Sequence, residues 1–185
     1  GVYGGQFMGA LYSEAFFQSD PVKLAEAALR HIPEQSQYAE MVRDMLRWHR
    51  EDPADWEKTW QKAQAKYRKD PEYQRASNGG IDVKINGAYV LMGLLFGKGD
   101  LDQTIIISCR SGQDSDCNPS SAAGVLFTTV GFAQLPKRFT GELDETAVFS
   151  HTAYDFPRLV AVCEQLARKM IAAAGGRVER GADGG

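Results

Sequence analysis

Cysteine is scarce in this chain. Cys109, Cys117 and Cys163 are the whole supply, an odd number with no C-x-x-C spacing, which excludes a disulfide framework and a thiolate zinc site as organising features. A reducing compartment is expected. A run of about eighteen apolar residues is missing, as are the basic and apolar regions of a secretory leader, so no membrane partner is expected and the chain reads as soluble and cytoplasmic. There is no excess of one charge either. Lys and Arg number 21 against 24 for Asp and Glu, and the formal net charge of -3 is scattered rather than striped, so nucleic acid is not an expected partner.

What is present suits a folded protein. At 185 residues and 43% apolar content the chain can bury a core, and one domain over residues 1–174 is expected, followed by a mobile tail over 175–185 with nothing to bury. Gly1 leads straight into "GVYGGQFMGALYSEAFF", which reads as the interior of a longer protein. A fragment is expected.

Helix punctuation dominates the chain. Asp20-Pro21 starts one helix and Pro33 marks its end; Tyr38, Met41, Val42, Met45, Leu46 and His49 recur at helical spacing after Ser36. Asp52-Pro53 opens another, with Trp56, Trp60, Ala63 and Tyr67 on one face, and residues 70–82 read as a loop. "VKINGAYVLMGLLFGKG" is apolar almost all round and closes on glycine, as a central buried helix does. Asp100 and Gln103 form a D-x-x-Q start for "LDQTIIISCRSG", although the β-branched run Thr104 to Ile107 also suits a buried strand. Asn118 and Pro119 then cap and open a small-residue helix, 137–151 is irregular, and "YDFPRLVAVCEQLARKMIAAAGG" is a last amphipathic helix.

Chemistry concentrates in "RSGQDSDCNPSS", residues 110–121. Two carboxylates that close repel and raise each other's pKa unless water or a cation neutralises them. Inside a helix, Asp114 and Asp116 would point to opposite sides; in an extended loop ahead of Asn118-Pro119 they face the same way and can share a hard cation such as magnesium, calcium or manganese. An EF-hand loop counted from Asp114 needs glycine and glutamate where Pro119 and Val125 stand, so that reading fails. A D-x-D phosphatase, with its aspartate at the end of a buried strand, competes weakly, and a solvated helix-capping turn is the bland alternative.

Other candidates carry less. His31, His49 and His151 are far apart, and His49 falls on a core or boundary face. "GKGD" at 97–100 lacks phosphate-loop spacing and reads as a helix end and turn. Trp56, Trp60 and Tyr67 read as core, and Cys117 as a packed side chain beside the carboxylates.

The run "NGAYVLMGLLFGKGDLDQTIIISCRSGQDSDCNPSSAAGVLFTTVGFAQLP" resembles the C-terminal half of the ADP-ribosylglycohydrolase family, which carries an Asn-containing buried helix, a Gly-Asp turn, a G-G-D-T-D-T-type motif and a small-residue helix ending near Leu-Pro. "GVYGGQFMGALYSEAFF" is similar to a core helix of that family, so the likeness runs from Gly1 to about Pro136. It implies an all-α, compact multi-helix bundle. It also implies two magnesium ions held between carboxylates and hydrolysis of the glycosidic bond in ADP-ribose conjugates, the ions orienting ribose hydroxyls and activating water.

Carried onto this sequence, Asp114 and Asp116 fall at metal-ligand positions. Cys117 stands where the motif has Thr or Ser, and a neutral thiol is a poor magnesium ligand. Gly112 matches the first glycine, while Gln113 replaces the second and is placed to meet substrate. The sequence marks no general acid or base. The family's G-D-A-x-G and T-D-D-T segments are not found, so the expectation is an incomplete domain lacking its N-terminal half, inactive alone, with the missing N-terminal segment of the same protein as its partner. A non-catalytic helical module that binds ADP-ribose or another protein is the alternative.

Overall fold

Capping side chains start most of the helices. The structure is a computed structural model that describes residues 1–69, 71 and 81–179, and its residues cluster into two compact units, Gly1–Leu135 and Pro136–Gly185. Among the described residues all regular structure is helical. The loop expected over 70–82 and the tail over 175–185 fall largely outside them.

The first unit contains α1 (Val2–Glu14), α2 (Pro21–Leu29), α3 (Gln37–Glu51), α4 (Trp56–Ala63), α5 (Val83–Gly97), α6 (Leu101–Arg110) and α7 (Cys117–Val130). Asp20 Oδ1 accepts the Val22 and Lys23 amides at 2.9 and 3.3 Å, with Pro21 at the first helical position, where its missing N–H costs nothing. Ser36 Oγ caps α3 through the Ala39 amide at 3.1 Å. Asp82 takes the Lys84 and Ile85 amides, and Asp100 takes that of Gln103 at 2.7 Å. Each such cap stabilises by about 1 kcal/mol. Asp100 settles the ambiguity over Thr104 to Ile107: the β-branched run is helical.

α5 is the central post. Every residue from Ile85 to Gly97 is buried, so this helix has no solvent face, and its neighbours supply the opposing apolar surface: Phe7 and Leu11 from α1, Met41, Val42 and Met45 from α3, Ala122 and Val125 from α7. Fully burying side chains such as Leu91 and Met92 stabilises by roughly 2–3 kcal/mol each. The helix ends where Lys98 adopts a left-handed conformation (φ 53°) and Gly99 follows at φ 80°, so "GKGD" is a terminating turn. α6 lies close against α5 because Gly93 and Gly97 have no side chains there; a Cβ on Gly93 would sit 2.6 Å from the Thr104 carbonyl oxygen.

α3 carries one residue that its apolar stripe conceals. Asp44 is 3% exposed, yet its carboxylate accepts from Tyr67 Oη at 2.5 Å, Lys66 Nζ at 2.6 Å and Arg47 Nη2 at 2.6 Å. Two of those donors come from a π-helical turn, Gln64–Arg68, that extends α4. In the same turn Gln64 Nε2 donates to Tyr89 Oη on α5. His49 ends the stripe half-buried, its ring meeting Phe96 edge-on at 4.9 Å and its Nδ1 without a hydrogen-bond partner.

The second unit holds α8 (Lys137–Thr140) and α9 (Phe156–Ala173). The stretch expected to be irregular over 137–151 therefore begins with one short helix. It then folds through local bonds, Asp144 Oδ1 accepting both the amide and hydroxyl of Thr146 and Phe149 N–H donating to the Tyr154 carbonyl. Asp155 caps α9 through the Arg158 amide at 2.9 Å. Among the described residues no helix is long and apolar enough to cross a membrane.

Candidate metal centre

The loop joining α6 to α7 is tied down at several points before any chemistry is asked of it. Ser111 Oγ donates back to the Ile107 carbonyl at 2.8 Å, and the Ser111 carbonyl accepts Trp60 Nε1–H from α4 at 2.8 Å. Gly112 and Gln113 then turn the chain at φ 94° and 59°. Glycine adopts that conformation freely; glutamine does so at a cost of about 1 kcal/mol. From α5, Asn86 Oδ1 accepts the Asp114 amide at 3.2 Å and the Asn118 Nδ2 at 2.7 Å, while Asn86 Nδ2 donates to the Asp82 carbonyl at 2.8 Å.

Those bonds bring three sequence candidates together. One ligating atom each from Asp114, Asp116 and Cys117 lies within 4.8 Å of the others. Asp114 is half-buried and the other two are exposed; Gly112 and Gln113 flank them, half-buried, on the preceding turn. Gly112 adds its carbonyl as an acceptor for Asn118 Nδ2 at 3.5 Å. Among the described residues, this is the group of metal-capable side chains that the fold assembles, and the histidines lie elsewhere.

Electrostatics follows from the crowding. A side-chain hydrogen bond with Asp114, aided by the backbone amides of Asp116 and Cys117, holds the Asp116 carboxyl below the usual carboxylate range. Cys117 is moved the other way: its hydrogen bond to Asp114 and the two acidic charges push the thiol up, keeping it protonated while no cation offsets them. The oxygens suit a hard divalent ion, since magnesium takes one or two carboxylates and retains several waters. The sulfur does not belong to that set.

Three expectations about this loop need correcting. The carboxylates converge through a tight turn rather than an extended segment: Ser115 N–H reaches the Gln113 carbonyl at 3.1 Å and Asn118 N–H the Asp114 carbonyl at 3.0 Å. α7 starts at Cys117, with Asp116 at the capping position and no side-chain cap. Asn118 does not cap because it is already the second residue of α7, buried, with its Nδ2 donating inward to Asn86 Oδ1, and Pro119 falls inside the first turn, where an N–H would have no helical partner anyway. The phosphatase reading also lapses, since the segment entering the loop is the helix α6 rather than a strand.

Sequence reasoning passed over Asn86 as a site residue. The signal was present: an amide side chain inside a run as apolar as "KINGAYVLMGLL" must find a partner or cost several kcal/mol. Trp60 left no comparable mark, because its ring is partly core and only the indole N–H reaches the loop.

A sequence model of the family described as ADP-ribosylglycohydrolase matches residues 1–176. No curated protein and no solved structure matches the chain. The extent of the match overturns the reading of this chain as only the C-terminal portion of the family's domain, an incomplete bundle lacking its N-terminal half, and with it the missing N-terminal segment as a required partner. The structure gives the physical reason: residues as early as Phe7, Leu11 and Leu24 pack into the same core as α5 and α7, so α1 to α4 are part of the bundle although they lack the acidic motifs sought there.

Proposed function

We propose, from the premise that the chain belongs to the ADP-ribosylglycohydrolase family, that it is a metal-dependent hydrolase cleaving the glycosidic bond of ADP-ribose conjugates. The observation that carries this reading is the convergence of the Asp114, Asp116 and Cys117 ligand atoms on a loop that Asn86 fixes to the central helix. Asp114 and Asp116 would hold magnesium, and the family's second ion has no further ligands assigned to it in this chain. Bound there, the cation supplies positive charge that orients ribose hydroxyls and makes water a better nucleophile.

The chain's own contributions are positional. Asp116 stays ionised at neutral pH, which suits it to a cation. Gln113, forced into its left-handed turn beside the carboxylates, presents an amide able to donate to a sugar or phosphate oxygen and to accept from a sugar hydroxyl. Gly112 has open space where a Cβ would stand, leaving room for substrate against the backbone. Asn86 keeps the loop from drifting, and sub-ångström positioning of this kind governs rate.

The test is release of ADP-ribose from arginine-, serine- and small-molecule-linked conjugates with magnesium titrated in. Release that rises with magnesium and falls about 100-fold or more in Asp114→Asn is expected. No magnesium-dependent release from any linkage would overturn the enzyme reading. A non-catalytic ADP-ribose-binding module is the second reading, favoured by the thiol at Cys117 in place of an oxygen donor; calorimetric heat with ADP-ribose but no turnover would select it.

A further inference from the structure

We propose that the Cys117 sulfur gives this centre a second, softer binding mode: a zinc- or cadmium-like ion takes Asp114, Asp116 and Cys117 together, where magnesium takes the two carboxylates alone. The inference rests on the proposed metal reading and extends it to which metals the site accepts. The three ligand atoms already lie within 4.8 Å of one another. A tetrahedral ion with oxygens at about 2.0–2.2 Å and sulfur at about 2.3 Å holds its ligand atoms roughly 3.3–3.7 Å apart, so side-chain rotations that draw the three atoms together by about an ångström close the set.

The surroundings permit those rotations. Cys117 is exposed, at the first position of α7, so no packing holds its side chain, whereas the backbone below it is pinned by Asn86. A hard cation gains little from sulfur and leaves it outside; a soft or borderline one gains a strong bond, with the thiol proton passing to solvent. Carboxylates by themselves also favour zinc over magnesium. The diagnostic quantity is therefore the change in selectivity when sulfur is removed, not the order of affinities.

The experiment uses the full 185-residue chain carrying Cys109→Ser and Cys163→Ser, so that Cys117 is its sole thiol. Magnesium and cadmium affinities are measured by calorimetry with and without Cys117→Ser, and cobalt(II) is added to look for the near-ultraviolet sulfur-to-cobalt band. Cadmium affinity is expected to fall about tenfold or more in Cys117→Ser, magnesium affinity to stay within about threefold, and the cobalt band to vanish. Cadmium affinity unchanged by the serine, or no cobalt band with the cysteine present, overturns the proposal while leaving the carboxylate site standing. If magnesium and cadmium bind equally well to a folded Asp114→Asn, Asp116→Asn variant, the metal site itself falls and the softer mode with it.

Discussion

Asn86 and Asn118 are thirty-two positions apart and meet side chain to side chain at 2.7 Å, Nδ2 of Asn118 donating to Oδ1 of Asn86. The same oxygen takes the Asp114 amide. One carboxamide on a buried helix thus sets both the start of α7 and the position of the first carboxylate.

Replacing that carboxamide should loosen the loop. Asn86→Ala leaves the Asn118 amide and the Asp114 N–H without their shared acceptor, at a cost of about 1–3 kcal/mol. Tm is expected to drop by several degrees in a thermal melt, and magnesium affinity to fall about 10–100-fold, the usual range for groups that orient a ligand. A melt shift with unaltered magnesium binding would mean that Asn86 serves the fold but not the site.

The buried carboxylate of Asp44 predicts acid sensitivity. Desolvation pushes its pKa up, but hydrogen bonds from Lys66 and Tyr67 and the nearby Lys66 and Arg47 charges outweigh it, leaving the group below its ordinary value. A carboxyl depressed on folding contributes stability above its unfolded pKa, about 3.9, and loses it as pH falls through the folded value. Tyr67→Phe should cost about 2 kcal/mol near neutrality and narrow the loss seen below pH 4 in urea melts.

His49 acts in a higher window with its own sign. Burial, then the Lys98 charge, lowers its pKa, so the folded state prefers neutral imidazole. The stability this contributes is complete above the unfolded value of about 6.5 and is lost progressively as pH falls below it. Urea midpoints should therefore decline between pH 7.5 and 5.5 in the native chain and decline less in His49→Leu.

At the α5–α6 contact, Gly93→Ala tests packing. The added methyl meets the Thr104 carbonyl oxygen at 2.6 Å and the Ser108 Cβ at 2.8 Å. Backbone cannot swing aside, so overpacking of about 1–3 kcal/mol should exceed the gain of about 1 kcal/mol from replacing glycine in a helix. A net fall in Tm is expected, whereas Gly9→Ala, where no atom lies within 4 Å, should raise it.

Much of the bundle was legible because its signals are local. Asp20 and Asp100 cap the helices they were expected to cap, with Pro21 at the first helical position, and the all-apolar stretch after Asp82 is the buried centre. The acidic pair was legible as a pair. Its geometry was not, because Asn118 had two possible partners, the helix start behind it and an amide thirty-two residues away, and sequence proximity favours the wrong one. Asp44 was hidden for a related reason: a π-helical turn brings Tyr67 and Lys66 onto it, and neither the turn nor the buried charge shows in an apolar stripe. The likeness to the family was legible from Gly1 to about Pro136, but the chain was misread as only a C-terminal portion of the domain, because α1 to α4 contribute core volume rather than the acidic motifs sought there.

The placement of α5 also divides the molecule into parts that can and cannot change cheaply. A rod walled in on all sides accepts only exchanges that keep its volume, whereas the turn hung from its Asn86 carries Asp116 and Cys117 exposed, where one side chain can replace another without disturbing the core. An exposed thiol at Cys117 is the kind of exchange such an arrangement lets pass, and the turn is free to drift in side-chain chemistry while the scaffold stays put.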